Sequence, residues 1–228
     1  MKNKVFIIGG IVLIVGLLII CMVLPQKKEK FDKNNLGIDY NIDGNETSLK
    51  YKTDNPVVAM YIENYGSIVM ELYPDIAPNT VNNFISLIKD GFYDYNSFHR
   101  LDKKFVLQGG DPTGTGTGGP GYTIDGEFSE NGFENSLSHK KWIVSMARSS
   151  DPNSAGSQFF ICLGDDSKLD GQYASFGKVI DGFENIEDII KNEVVTDETT
   201  GKLETNLVIK KTVIDLKGKK YSKVVKNS

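Results

Sequence analysis

The stretch FHRLDKKFVLQGGDPTGTGTGG, Phe98 to Gly119, decides the reading of this chain. It sets one arginine, Arg100, beside two phenylalanines, a short apolar run and a glutamine, then passes into a glycine-rich loop. A second run, MARSSDPNSAGSQFFI from Met146 to Ile161, adds another glutamine and two more phenylalanines. Together they specify a pocket with amide donors, an apolar floor and a permanent positive charge, because a guanidinium does not deprotonate in proteins. No nucleophile stands in a recognisable setting. Such a pocket can bind and reshape a peptide but is poorly equipped to break a covalent bond.

Competing chemistries fail on context. Gly114, Gly116 and Gly119 match GxGxxG by spacing, yet a dinucleotide loop must open a helix whose N-terminus faces the phosphates. Here Pro120 and GYTIDGEF follow without a helical period. The glycines read instead as a tight loop that lets a substrate backbone come close. His99 and His139, the only histidines, lie outside metal-ligand spacing. No GxSxG elbow exists, and Ser157 lacks a strand-to-helix setting. No cofactor and no metal are expected.

Outward from the pocket, the pattern is mostly β. VVAMYIE and SIVMELY flank the turn Asn64-Tyr65-Gly66, and Ile68, Met70 and Leu72 alternate with Val69, Glu71 and Tyr73. This predicts a hairpin with one buried face. Pro78 suits the first turn of a helix carrying Val81, Phe84, Ile85 and Ile88 on one side, and Gly91 stops it. A second helix is written in GFENIEDIIKNE, where Phe183, Ile186, Ile189 and Ile190 share a face. The runs KFVLQ, WIVSMA, SQFFICL, YASFGKVI and NLVIKKTVIDL add short strands. The pattern is a mainly β fold, a closed antiparallel barrel capped by two α-helices, without internal repeats.

Residues 5–24, VFIIGGIVLIVGLLIICMVL, carry no charge. Twenty residues at about 1.5 Å each match the roughly 30 Å hydrocarbon core of a bilayer. The expected organisation is a head at 1–4, a transmembrane or signal anchor at 5–24, a polar linker at 25–55, the folded domain at 56–218 and a solvated basic tail at 219–228. A cleaved signal peptide would carry a shorter apolar region ending at small residues. A lipoprotein would use Cys21, but Ile20 is not the small residue its signal requires. Lysines flank both ends of the run, so the positive-inside count does not orient it. The short head and long globular tail point to a signal anchor with the domain on the extracytoplasmic side.

The 228 residues carry a net charge of −4, which argues against a nucleic-acid partner. Cys21 and Cys162 stand in different environments, so the fold must rest on its core without a disulfide. Cys162, in an apolar run, reads as a small hydrophobe.

The segment Phe98–Asp111, then SMA…NSAGSQFFI, then LDGQYASFGKVIDG (Leu169 to Gly182), occur in one order and resemble the cyclophilin family of peptidyl-prolyl cis/trans isomerases, in a bacterial-like, membrane-anchored form. The resemblance covers about residues 56 to 218. It implies that Arg100 is catalytic and that Phe105, Val106, Gln108, Gly116, Ala147, Arg148, Ser149, Gln158, Phe160, Leu169 and Tyr173 bind substrate. Family members commonly have Met at Val106 and, among eukaryotes, Asn at Arg148. Lys168 stands where many have a tryptophan linked to cyclosporin binding, and Tyr173 where many have a histidine. Cyclosporin affinity should therefore be weakened, with Arg100 untouched.

The implied activity is rotation about X–Pro bonds in flexible, proline-containing polypeptides by a monomeric domain, with no covalent intermediate. Arg100 would donate to the proline nitrogen of the twisted amide, which binds that state better than either planar one. The competing reading is a membrane-tethered peptide-binding chaperone or scaffold in which isomerisation is incidental.

Overall fold

Val57–Ile62 (β1) and Gly66–Leu72 (β2) form the expected hairpin, and Asn64 turns it with a φ of 68°, a left-handed conformation that asparagine tolerates. Ile68, Met70 and Leu72 face the main core, while Val69 faces outward. β1 is apolar on both faces. Val58, Met60 and Ile62 point inward, and Val57 and Ala59 pack outside with Leu49, Val69 and Val213.

Residues 45–55 cover that outer face. The computed structural model describes residues 45–227, so the head, the apolar segment at 5–24 and the linker as far as residue 44 lie outside the described residues. Among the described residues no helix is long and apolar enough to cross a membrane. The end of the stretch read as linker is bound to the barrel. Ile214 donates its N–H to Asn45 O and accepts from Thr47 N–H, both at 2.8 Å, and Leu49 N–H donates to Asp215 Oδ2 at 2.7 Å. Polar composition concealed this, because only Leu49 and Tyr51 carry the apolar contact. The basic tail likewise lies back over the first helix. Val225 N–H donates to Asn79 Oδ1 at 2.9 Å, and Asn227 N–H to Thr123 O at 2.8 Å.

The other strands are Ser97–Leu101 (β3), Val106–Gly109 (β4), Ile143–Met146 (β5), Phe159–Cys162 (β6), Ser175–Asp181 (β7), Val195–Asp197 (β8) and Lys202–Asp215 (β9). Their order is β1-β2-β7-β5-β6-β4-β3-β9, and β9 pairs with β1, closing an eight-stranded antiparallel barrel. β8 extends β9 as a hairpin. Two of these strands, β3 and β8, have no counterpart in the apolar pattern. β8 is three mostly exposed residues, and β3 carries an irregularity between Phe98 and Arg100 that breaks its alternation.

The first helix, Pro78–Lys89 (α1), buries Val81, Phe84, Ile85, Leu87 and Ile88. Phe84 meets Tyr93, Phe159 and Phe176 at ring separations of 4.9, 5.3 and 5.0 Å. Glu127 caps α1 from afar, its carboxylate accepting from Asn79 N–H at 2.9 Å and Thr80 N–H at 2.7 Å. Gly91, at φ 70°, ends the helix as expected. The second helix, Phe183–Asn192 (α2), buries Ile186 and Ile189, with Phe183 and Ile190 against the same core. Large side chains fill the barrel interior, so a peptide must be met on its outer surface.

Candidate functional site

Strand register builds the site. Arg100 on β3 lies opposite Gln108 on β4, Gln108 opposite Phe160 on β6, and Phe160 opposite Ser145 on β5. Residues directly opposite share a face, so one row crosses four strands on the outer surface. Around it, Val106, Ile143, Phe160 and Cys162 form an apolar cluster separate from the barrel core, joined by Phe105, Leu137, Ala147, Leu169 and Tyr173. Val106 and Phe160 are buried as its floor; Phe105, Leu169 and Tyr173 are half-buried at its rim. Tyr173 stands edge-on to Phe160 at 5.8 Å.

A chain of amides fixes the arginine. Arg100 Nη1 donates to Gln108 Oε1 at 3.0 Å, and Gln108 Nε2 donates to Gln158 Oε1 at 3.0 Å. Gln158 Nε2 in turn donates to Gly116 O at 3.1 Å and Gly118 O at 2.9 Å. Among the described residues the buried Arg100 Nε has no partner. A buried donor without an acceptor costs stability unless a ligand supplies one.

The glycine loop is organised by Asp111, which the sequence reading did not single out. Its carboxylate accepts from Thr113 N–H at 2.7 Å, the Thr113 hydroxyl at 2.8 Å, Thr115 N–H at 3.1 Å, Gly116 N–H at 2.6 Å and Gly118 N–H at 3.0 Å. Burial raises this carboxyl's pKa, but the donors of Gly118, Thr113 and Gly116 outweigh it and hold the pKa well below the usual range. A Cβ on Gly118 would sit 2.1 Å from Asp111 Oδ1, so glycine is needed there for space. Gly116 has φ 90°, the left-handed region that favours glycine. The loop thus wraps a carboxylate of its own and presents no phosphate cradle.

Of the candidates on the next strand edge, Ala147 N–H is engaged by Gln158 O at 2.9 Å and Ser149 N–H by Ser154 Oγ at 2.9 Å. Among the described residues, the main-chain N–H and C=O of Arg148 have no such partner. The backbone groups open to a peptide therefore centre on Arg148. Its side chain donates through Nε to Gln172 O at 2.9 Å and lies over the Tyr173 ring at 4.7 Å.

Behind Phe160 is a trio in which His139 and Ser145 are buried and Asp170 is exposed. His139 Nδ1 and Asp170 Oδ1 are 2.8 Å apart, and His139 Nε2 and Ser145 Oγ 2.9 Å. The ionised carboxylate accepts from Nδ1–H, so the neutral ring accepts the Ser145 hydroxyl at Nε2. Burial lowers the His139 pKa, against the raising effect of Asp170. The order Ser–His–Asp imitates a hydrolase, but Ser145 is fully buried and out of substrate reach. The trio acts as a brace: the His139 ring stacks 6.1 Å from Phe160 at 19°. Its members are scattered along the sequence, so no motif announced it. Cys162 is buried in the same cluster, and burial pushes its thiol up to about 12, far from nucleophilic use.

His99 follows Phe98 at the β3 irregularity and lies beside Gly116, and among the described residues neither ring nitrogen is partnered. Burial lowers its pKa, with Asp111 opposing and Arg100 assisting. A separate concavity of about 630 Å³ lies between α1 and the tail, lined by Ile85, Lys89, Lys220, Tyr221 and Lys223 among others. It contains none of the residues above, and convergent donors rather than volume mark the site.

Residues 57–214 match the family model described as cyclophilin type peptidyl-prolyl cis-trans isomerase/CLD. The chain is 46% identical over 123 residues to peptidyl-prolyl cis-trans isomerase-like 1 of Gibberella zeae, covering 54% of this chain and 74% of that protein. It is 43% identical over 134 residues to peptidyl-prolyl cis-trans isomerase B of Bacillus subtilis, covering 59% and 90%. Among solved structures, a cyclophilin type isomerase of Cryptosporidium parvum, determined in the presence of the dipeptide Ala-Pro, superimposes with a TM-score of 0.61 at 37% identity, over 69% of this chain and 98% of that one.

Proposed function

The chain belongs to the cyclophilin-type peptidyl-prolyl cis-trans isomerases and catalyses rotation about X–Pro bonds, and from that premise we propose how its residues divide the work. The barrier to rotation is about 18–20 kcal/mol, because the C–N bond is partly double. No bond need be broken. In the twisted amide, conjugation is lost and the proline nitrogen regains its lone pair. A donor aimed there binds the twisted state in preference to both planar ones.

Arg100 is that donor. The observation that carries the assignment is its tethered guanidinium with a buried, unengaged Nε–H. Phe160 and Val106 form the floor that takes the proline ring, with Phe105, Leu169 and Tyr173 as walls. Gln108 holds the guanidinium, Gln158 links it to the loop at Gly116, and the Arg148 main chain grips the peptide beside the proline. The Ala147 and Ser149 amides frame that edge.

This division predicts a flat pH profile. Burial keeps His99 and His139 below the usual histidine range, so both are neutral at pH 7 and above. Asp111 and Asp170 are held ionised below the usual carboxylate range, and arginine stays charged. Between about pH 7 and 8.5 no residue in these assigned roles changes charge, so kcat/KM should vary by less than about twofold, whereas an ordinary histidine would titrate near 6.5. A steep inflection inside that window would transfer the central role to a titrating group outside this division of work.

We further assign residues 5–24 as a membrane anchor and place the domain on the extracytoplasmic side, where its substrates are exported, incompletely folded polypeptides. An uncharged run of bilayer length supports this. Protease added to intact cells should digest the domain. Protection until the cells are permeabilised would reverse the orientation.

A further inference from the structure

Two cations flank the apolar walls of the site, and among the described residues neither is held in an ion pair. Lys168 sits on the exposed 3₁₀ turn Ser167–Leu169, with Nζ 4.4 Å from the centre of the Phe105 ring. Arg148 lies 4.7 Å from the Tyr173 ring and 5.1 Å from the Phe128 ring. Its other contacts are neutral carbonyls, those of Gln172, Ser149 and Ser150. Among the described residues neither cation enters an ion pair.

Three of the neighbouring acids have polar partners of their own. Asp165 pairs with Lys140 at 2.7 Å, and Asp170 with His139 at 2.8 Å. Asp102 accepts from Lys104 N–H at 3.1 Å, whereas Asp166 is buried and, among the described residues, its Oδ2 is unpartnered; it feels the Lys168 charge without forming an ion pair with it. With Arg100, three positive side chains thus converge on one apolar site in a chain whose net charge is −4. Their hydrocarbon stems could be there merely to cover aromatic rings. Cover alone, however, requires no free charged head on either wall.

We propose that Lys168 and Arg148 make this isomerase selective for X–Pro bonds with aspartate or glutamate within about two residues of the proline, a reach set by the roughly 3.3 Å rise per extended residue. The proposal rests on the isomerase reading of the same site. The cations lie on different walls, so an acidic residue on either side of the proline finds a partner. Exposed pairs of this kind are weak and screened by salt, so the expected preference for Glu over Lys beside the proline is about three- to tenfold at low ionic strength.

The test is kcat/KM for three matched peptides, with Glu, Ala or Lys next to the proline, measured by NMR exchange so that no coupling protease imposes its own preference. The wild-type chain should rank them Glu, Ala, Lys, with the spread collapsing toward unity near 0.5 M salt, where the Debye length is only about 4 Å. Lys168→Ala should narrow the spread and Lys168→Glu should invert it. Lys168 is exposed, so both variants should fold. A wild-type Glu-to-Lys ratio below twofold at low salt, or a ratio unchanged in Lys168→Glu, would overturn the proposal. An equal fall on all three peptides in both variants would also overturn it, since that is the signature of ring cover alone. Absence of wild-type activity even on the Ala peptide would strike the isomerase reading itself.

Discussion

Arg100→Ala should lower kcat/KM for a proline peptide by about 10²–10³-fold, the loss seen when one preorganised donor is removed from a water-poor site. The same substitution should leave the barrel folded. Among the described residues Arg100 makes one side-chain hydrogen bond, to Gln108, and the residue is half-buried. Losing such a bond costs about 1 kcal/mol, which a thermal melt would register as a small shift. Arg100→Lys keeps the charge but loses the planar fork that binds Gln108 while offering a second donor. It should recover only part of the activity. If Arg100→Ala turned over substrate at the wild-type rate, transition-state stabilisation would have to come from elsewhere in the pocket.

Asp111→Ala should have the largest effect on stability among polar substitutions near the site. It removes the common acceptor of the Thr113, Thr115, Gly116 and Gly118 amides. These bonds are only partly buried, so water can replace some of what the carboxylate supplies. The total cost should be about 3 kcal/mol, within the range of about 1–3 kcal/mol for one fully buried unsatisfied donor. Hydrogen exchange at Gly116 and Gly118 should accelerate. The isomerase rate should fall less than in Arg100→Ala, because Gln158 would lose its loop partners while Gln108 still held the arginine. The sign of the pH dependence follows from the depressed pKa. A carboxyl held down in the folded state stabilises fully above its unfolded value of about 3.9 and loses that contribution as pH falls below it. The wild-type advantage over Asp111→Ala should therefore shrink below about pH 4. An advantage that stayed constant down to pH 2 would mean that the charge is not what holds the loop.

Much of the site was legible because its parts are local. FHRL, FVLQGG and SQFF carry the arginine, the amides and the floor in short runs, and the strand period puts Val106 with Gln108 on one face while Leu107 turns to the core. Both helices were legible for the same reason, since their apolar spacing and glycine stop are written within a few turns. What escaped was non-local or irregular. β3 was hidden because the break between Phe98 and Arg100 destroys its alternation. The Ser145–His139–Asp170 brace joins a strand to two loops, so no spacing rule reaches it. Asp111 was passed over because its partners are backbone amides, which carry no residue identity. Residues 45–55 read as linker because two apolar side chains and a few main-chain bonds leave almost no compositional trace.

The sequence by itself determined the chemistry: a permanent positive charge, two amides and an apolar floor, with no nucleophile in a recognisable setting. It also determined both helices and every strand except β3 and β8, because side-chain periodicity is a property of neighbouring residues. Only the tertiary structure decided that β9 returns to β1 and closes the barrel, and that register aligns Arg100, Gln108, Phe160 and Ser145 in one row. Only there does Asp111 gather the glycine loop and Gln158 tie that loop to the arginine. The physical reason is that register and closure depend on hydrogen bonds between segments far apart in the chain, whose energy belongs to the pair and is written in neither strand alone.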